Sequence, residues 1–313
     1  MPNHRRSEFD VCDKINTTDY EQVAAEVDRM YSALYKEQPG TVLQTAFRDA
    51  ASLYRGDSHG YHACDTEYHD IQHVLDVTLA MARMMDGCKR ATNDARLDAT
   101  MFRLGIIAAL YHDAGYIRSV HDTRHKHGAE YTVSHVGRGA AYVESYLHAL
   151  GMHDEAHQAA QMLHYTGYET PINRILVAPE YQLVGSMLGS ADILAQMADR
   201  CYLEKCHRRL YPEFVLGGIV RKRDSDGREI VVFASASDLI YKTPGFYAGA
   251  TKRLAKDLGN YSIYLEQHFG GDNIYFEELE KNFSHARQIA EKRDISLLRR
   301  SLPETLIGSP AAA

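Results

Sequence analysis

Helical periodicity runs through almost the whole chain and limits its fold more than any other feature. In residues 68–85, for example, apolar residues recur every three or four positions, as on one face of a helix. Only 219–223 and 228–233 are typical of strands, and the turn composition of Asp224 to Gly227 between them indicates a hairpin. The sequence therefore predicts an all-α helical bundle with one small β-hairpin insertion.

The predicted helices are separated by short polar or glycine-containing segments. They cover about residues 19–37, 41–55, 68–85, 94–110, 129–150, 153–165 and 181–210, with further helix after the hairpin as far as residue 292.

Charge and composition exclude several classes of protein. Thirty-five Lys and Arg residues stand against 42 Asp and Glu, and the basic residues form no stripe, so we expect no nucleic acid polymer as partner. The longest apolar runs, such as Leu104 to Leu110, are too short to span a bilayer, and residues 1–10 are polar. We therefore expect no membrane association and a cytoplasmic location. Five scattered cysteines argue against a disulfide framework.

Histidine and aspartate residues stand at informative positions along these helices. His69 and His73 are four residues apart, which predicts that both project from one face of a helix into one pocket. The doublet His112-Asp113 follows the apolar run of 104–110, where an uncompensated carboxylate would be costly to bury. A nearby cation would offset that cost, so the doublet is a candidate for metal ligation.

This order of residues resembles the HD-domain superfamily of metal-dependent phosphohydrolases. Residues 68–77, Tyr-His-Asp-Ile-Gln-His-Val-Leu-Asp-Val, are similar to the cyclic nucleotide phosphodiesterase signature Tyr-His-Asn-x-x-His-x-x-Asp-Val. The doublet His112-Asp113 and the later Ala191-Asp192 occupy the positions of the other characteristic motifs. The resemblance covers about residues 68 to 200 and is strongest in this first motif.

The resemblance implies a role for each of these residues. His69 is implied as the general acid that protonates the leaving oxygen, and Asp113 as a catalytic carboxylate that bridges two divalent metal ions. The implied metal ligands are His73, His112, Asp113, His135, His164 and Asp192.

The donor set also constrains the metal and the reaction. Four imidazoles and two carboxylates suit Fe, Mn, Zn or Co, and leave Mg as an option only at the second position. Two such cations sharing Asp113 would hold a bridging hydroxide that attacks phosphorus, while His69 acts as general acid. The expected activity is hydrolysis of a phosphoester bond. The expected partner is a small phosphorylated substrate such as a nucleotide or cyclic nucleotide, and a homo-oligomer stays open.

Four further residues are candidates for binding the substrate. Arg124 and Lys126 lie in a basic loop soon after the doublet, which could contact a phosphate or be a solvated surface loop. Tyr116 could stack on a base, although in a chain with 21 tyrosines and no tryptophan a packing role is favoured. Gln196, one helical turn after Asp192, could reach the site or lie on a helix surface.

Two other functions stay open beside hydrolysis. A mixed-valent di-iron oxygenase of the inositol oxygenase-like HD branch would use the same ligands. That branch usually carries a lysine soon after His-Asp-x-Gly, whereas residues 112–116 read His-Asp-Ala-Gly-Tyr. The other is a catalytically idle binding or signalling module, which the complete ligand set disfavours. Hydrolysis is therefore the preferred hypothesis.

We expect these parts to form one compact domain, because no segment has the length and composition of a linker. Residues 1–67 should form N-terminal helices that pack on the core, and 68–210 the HD-type catalytic core. Residues 211–294 should form a helical extension that contains the hairpin at 219–233, and 295–313 a flexible tail.

Overall fold

The computed structural model describes residues 5–38, 40–224 and 226–304. Within these ranges the chain is mainly helical and has a single two-stranded sheet, which confirms the predicted all-α fold. The α-helices and strands are α1 (Tyr20–Tyr35), α2 (Thr41–Arg55), α3 (Ile71–Thr92), α4 (Ala99–Tyr111), α5 (His135–Ala149), α6 (His153–Gln161), α7 (Pro179–Ala198), α8 (Tyr202–Lys205), α9 (Tyr211–Leu216), β1 (Arg221–Arg223), β2 (Glu229–Val231), α10 (Ala236–Lys252), α11 (Tyr264–Phe269) and α12 (Ile274–Lys292).

The hairpin lies where it was predicted, but its strands are shorter. β1 and β2 pair antiparallel, with Arg221 opposite Val231, and every residue of both strands is exposed. The regular ladder comprises the three residues of each strand nearest the turn. Gly227 adopts a positive φ of 78°, which the turn requires.

Local capping decides where the helices begin and end. α2 has the predicted bounds, and the left-handed Gly56 ends it by donating its N–H to the carbonyls of the last turn. Two predicted starts are wrong. The helix predicted from residue 68 begins at Ile71, because Asp70 is extended and its side chain accepts the His73 N–H. The helix predicted from 94 begins only after Asp98, which caps α4 in the same way.

Two segments predicted as single helices are interrupted. In 129–150, a short 3-10 turn at Gly128–Tyr131 precedes α5, so that His135 is the first residue of α5 rather than part of a continuing helix. In 181–210, α7 stops before Asp199, whose carboxylate accepts the Cys201 N–H and breaks the helical ladder.

Helix α3 is the central element of the fold. It packs against α1, α4, α7 and α11, and most of its side chains are buried. Gly87 permits the close approach of α11, because a Cβ atom there would lie 1.8 Å from the Tyr264 carbonyl oxygen. Since α3, α4 and α7 also contact one another, side chains from the start of α3, the end of α4 and the second half of α7 can converge.

The segment expected as a tail is partly packed on the body of the protein. The Arg300 backbone N–H donates to Glu204 Oε1 at 3.1 Å, and Arg209 donates to the carbonyl of Pro303. The rest of the predicted tail, 305–313, lies outside the described residues. Across the described ranges, no helix combines the length and apolar character needed to cross a membrane.

Candidate metal centre

Four of the predicted metal ligands converge at the meeting point of α3, α4 and α7. His73 comes from the first turn of α3, the doublet His112-Asp113 from the end of α4, and Asp192 from α7. His73 Nε2 lies 3.4 Å from Asp113 Oδ2 and 3.4 Å from Asp192 Oδ1, and His112 Nε2 lies 3.3 Å and 3.9 Å from the same two oxygens. We call these four residues the ligand cluster.

The ligand cluster fits a divalent cation. Donor atoms that share one cation at about 2.0 to 2.2 Å lie roughly 3.0 to 4.2 Å from one another, which is the spacing found here. Within the described chain, His112 Nε2 and Asp113 Oδ2 are buried without a hydrogen-bond partner. A buried unsatisfied polar atom costs about 1 to 3 kcal/mol, so the protein by itself leaves this cost uncompensated. Binding of a cation by these imidazoles and carboxylates would compensate it.

Backbone carbonyls orient two of the histidines. His112 Nδ1 donates to the Ala109 carbonyl at 2.8 Å, so Nε2 is the nitrogen with a free lone pair toward the cluster. His135 Nδ1 donates to the Thr132 carbonyl at 2.7 Å, which leaves its Nε2 at 3.7 Å from Asp113 Oδ1. The two oxygens of Asp113 therefore face different histidines.

A glycine makes this arrangement of His135 possible. A Cβ atom at Gly115 would lie 1.9 Å from the His135 carbonyl oxygen, so only glycine permits the start of α5 to approach the doublet so closely. Gly115 belongs to the His-Asp-Ala-Gly-Tyr sequence, but nothing in that sequence indicates its contact with the start of α5.

The electrostatics of the ligand cluster favour protons on its histidines when no cation is bound. Burial opposes protonation of His73, but the carboxylates of Asp113 and Asp192 outweigh it and raise its pKa to about 10. Burial likewise opposes ionisation of Asp113, but His112 and His73 hold its pKa well below its usual range. Protons and a cation thus compete for the same imidazole nitrogens. His135 differs, because burial lowers its pKa.

His69 lies beside the ligand cluster but outside the helix. The prediction that His69 and His73 project from one helix face is wrong, because the Asp70 cap places His69 before the first turn of α3. The two imidazole centroids are nevertheless 5.9 Å apart, since the chain turns directly into α3 at this cap.

A glutamate that the sequence analysis did not identify holds His69. His69 Nδ1 lies 2.6 Å from Glu213 Oε2, and the other oxygen of Glu213 accepts the Tyr68 N–H at 2.6 Å. Glu213 lies on α9 and its side chain is only 3 % exposed, so the imidazole has a buried carboxylate as its fixed partner. No sequence signal pointed to this pair, because its two members are 144 positions apart.

Tyr116 packs within the site. Its ring is buried and stacks against both His69 and His135, with a centroid distance of 4.4 Å in each case. This contact corresponds to the packing role that the sequence analysis favoured over stacking on a base.

The remaining predicted site residues differ in their surroundings and partners. Gln196 lines a small cavity together with His73 and accepts the Tyr68 hydroxyl at 3.2 Å. Arg124 and Lys126 are exposed. Their backbone N–H groups donate to nearby carboxylates, and their side chains make no hydrogen bond among the described residues. His164, also predicted as a ligand, places Nδ1 2.9 Å from Glu169 Oε1; this contact does not involve Nε2, so its role as a ligand stays a prediction. That carboxylate is its ion-pair partner within the described ranges.

Comparison with known proteins gives one informative match. No protein-family model matches the chain, and no curated protein matches it. Among solved structures, the chain is similar to the phosphodiesterase domain of the RhoPDE fusion protein from the choanoflagellate Salpingoeca rosetta, with a TM-score of 0.54 and 14% identity. The match covers 92% of this chain and 96% of that one. At this identity the similarity shows the fold, an all-α bundle like that of a phosphodiesterase domain.

Proposed function

We propose that this protein is a metal-dependent phosphohydrolase that cleaves a phosphodiester bond, with nucleotides and cyclic nucleotides as the first substrates to test. The observation that carries the proposal is the position of His69, with its partner Glu213, directly beside the ligand cluster. The similarity in fold to a phosphodiesterase domain supports the same class of reaction.

The ligand cluster would hold the cations. Divalent ions bound there would supply an activated water molecule and offset the negative charge of the phosphate. His73 and His112 lie near Asp113 Oδ2, while His135 faces Asp113 Oδ1, which supports a role of the Asp113 carboxylate in holding two cations. The mixture of imidazole and carboxylate donors suits Fe, Mn, Zn or Co.

His69 would act as the general acid. Its Nδ1–H is engaged by Glu213, which leaves Nε2 as the nitrogen available to donate a proton to the leaving oxygen. The Glu213 carboxylate stabilises the positive charge that the imidazolium carries before this transfer. Because the stacked Tyr116 also restricts the imidazole, His69 needs little reorganisation to reach its reactive orientation.

The charges around the site favour a diester over a monoester. Arg118 Nε lies 3.1 Å from Asp65 Oδ2, Arg138 Nε donates to a backbone carbonyl at 2.8 Å, and Lys205 pairs with Asp199. These cationic side chains are thus engaged by protein groups. A singly charged phosphodiester requires less neutralisation than a dianionic monoester or a polyphosphate, so this arrangement favours the diester.

The structure gives no support to the oxygenase alternative. The solved structure that the chain resembles in fold is a phosphodiesterase domain, and Tyr116 follows His-Asp-Ala-Gly where the oxygenase branch usually carries a lysine.

A substrate screen with a matched variant tests the proposal. Purified protein is supplied in turn with Mn²⁺, Fe²⁺, Co²⁺ or Zn²⁺ and offered cyclic mononucleotides, cyclic dinucleotides, nucleoside monophosphates and an aryl phosphodiester. We expect hydrolysis of at least one diester, and a fall of about 10²- to 10⁴-fold in His69→Gln at unchanged metal content. The exposed His59→Gln is the control. Turnover of monophosphates alone, or full activity in His69→Gln, would contradict the proposal.

A further inference from the structure

A buried ion pair lies behind the start of α3. The side chains of Asp70 and Arg209 are each only 4 % exposed, and Asp70 Oδ2 lies 3.9 Å from Arg209 Nη1. Among the described residues neither of these two atoms has a hydrogen-bond partner, so the contact between them is electrostatic. A buried carboxylate is costly unless a counterion or hydrogen bonds compensate it, so the position of Asp70 should depend on Arg209.

Asp70 in turn determines where two histidines of the site lie. Its other oxygen, Oδ1, accepts the His73 backbone N–H at 3.0 Å, and its extended backbone separates His69 from the first turn of α3. His73 belongs to the ligand cluster, and His69 is the proposed general acid. If the Asp70 carboxylate turned away from this cap, both imidazoles would lose the support that fixes their positions.

The guanidinium of Arg209 is held from its other side. Arg209 lies in a π-helical turn, Cys206–Leu210, and its Nη2 donates to the Pro303 carbonyl. The segment near the C-terminal end of the described chain thus fixes the guanidinium that faces Asp70.

A second buried cation, Lys205, is engaged by other groups. Its charge favours the ionised form of the Asp70 carboxyl, but its Nζ lies 2.5 Å from Asp199 Oδ2 and 3.2 Å from Gln72 Oε1. Among the described residues, Arg209 is therefore the cationic side chain at ion-pair distance from Asp70.

We propose that Arg209 is a positioning residue for the metal centre. By holding Asp70 Oδ2, it keeps Oδ1 on the His73 N–H and so keeps the His73 imidazole in place for a cation. Arg209 acts through Asp70 and is not itself a ligand. The inference rests on the proposed function only in that the ligand cluster must bind a divalent cation.

The sign of the effect separates positioning from simple electrostatics. Arg209 carries a positive charge near a cation site, so by electrostatics alone its removal would strengthen cation binding. Removal of a positioning residue has the opposite effect, because Asp70 loses its counterion and turns toward other donors. Groups that orient metal ligands typically contribute about 10- to 100-fold in metal affinity.

Titration of the metal-free protein with Mn²⁺, followed by electron paramagnetic resonance of the free ion, tests the inference without any substrate. We expect Arg209→Met to bind Mn²⁺ about 10-fold or more weakly than the wild-type protein. In Asp70→Asn/Arg209→Met, the affinity should return to within about 3-fold of wild type, because asparagine caps a helix as well as aspartate and needs no counterion. Both variants lose the contact with Pro303, so the difference between them reports on Asp70.

Wild-type or tighter binding in Arg209→Met would overturn the inference, as would a double variant that binds as weakly as the single one. If Arg209→Met does not fold, the double variant still decides, since a loss of about 10-fold there contradicts a role through Asp70. The exposed Arg208→Met is the control, and weaker binding in this variant would reject a specific role for Arg209. A wild-type protein that binds no Mn²⁺ would refute the ligand cluster, and with it both the proposed function and this inference.

Discussion

Helix α3 carries two buried groups of charged side chains, and they differ in how their charges are compensated. Toward its middle, Arg83 forms an ion pair with Asp10 and donates from Nη1 to the Tyr275 hydroxyl at 3.1 Å. In its first turn, His73 lies 3.4 Å from Asp113, and within the described chain Asp113 Oδ2 has no hydrogen-bond donor. In the first group the guanidinium has a carboxylate partner, although Arg83 Nε donates no described hydrogen bond. In the second group two carboxylates and two imidazoles face one another, and the atoms left without a hydrogen-bond partner, His112 Nε2 and Asp113 Oδ2, belong to its metal-binding donor set.

This difference separates a structural ion pair from a ligand site. A buried charge is tolerated when a partner holds it, and an incompletely satisfied cluster is typical of a position where something else binds. Changes to the two groups should therefore affect different properties. Loss of a charge near Arg83 should reduce stability, whereas loss of a charge near His73 should reduce metal content and activity.

Asp113→Asn should have the largest effect on activity. Its amide cannot replace the carboxylate that faces His73, His112 and His135, so we expect loss of metal and a fall in kcat/KM of about 10³-fold or more. Metal analysis and kinetics of the purified variant test this. Wild-type metal content would reject Asp113 as a ligand.

Asp10→Asn should give the opposite pattern. It leaves the Arg83 guanidinium buried without its carboxylate, and breaking such a pair costs about 3 to 5 kcal/mol in the free energy of unfolding. Metal content and kcat should stay at the wild-type level. Denaturant unfolding measures the loss. In the control Asp10→Leu/Arg83→Met, which removes both charges, most of the stability should return.

The same ion pair makes a prediction about pH. Burial opposes ionisation of Asp10, but Arg83 outweighs it and lowers the pKa of this carboxyl below its usual value. Since the unfolded carboxyl titrates near about 4, the stabilisation is complete above that pH and is lost as the pH falls further. Wild-type stability should therefore fall more steeply than that of Asp10→Asn below about pH 4. Parallel curves would contradict the role of this pair.

Glu213→Gln should have an intermediate effect. Glutamine has one acceptor oxygen where glutamate has two, so it cannot accept from the Tyr68 N–H and from His69 on separate oxygens as the carboxylate does. We expect kcat to fall about 10- to 100-fold while metal content is retained. The exposed Glu266→Gln is a matched control. A loss of metal would instead assign Glu213 to the ligand cluster.

Arg124→Ala/Lys126→Ala should have the smallest effect. If these exposed side chains attract the substrate phosphate, their removal should raise KM up to about 5-fold without changing kcat, because exposed charges contribute up to about 1 kcal/mol. The effect should diminish at high salt. An unchanged KM at low salt would remove this loop from the substrate site.

Features of the fold and of the site that depend on residues close together in the sequence could be predicted. The bounds of α2 follow from its periodicity and from Gly56, and the doublet His112-Asp113 is conspicuous after an apolar helix. The start of α3 was misjudged, although Asp70 is a good capping residue, because the periodic pattern begins slightly before the cap. Periodicity indicates which residues share a face but does not locate a helix end.

Contacts between distant segments could not be predicted. Glu213 reaches His69 only because α9 packs beside the start of α3, and no spacing rule connects residues 144 positions apart. The resemblance to the superfamily implied His164 as a ligand, yet its environment depends on how the loop after residue 165 folds back and presents Glu169.

The sequence alone predicted that the chain is helical, since helix period is a local property, and its resemblance to the superfamily made His73, His112, Asp113 and Asp192 candidate metal ligands. The tertiary structure decided that these four meet and that His69 is paired with Glu213. The physical reason is packing. Distances between helices depend on close contacts such as that of Gly115 with the His135 backbone, which no single segment specifies.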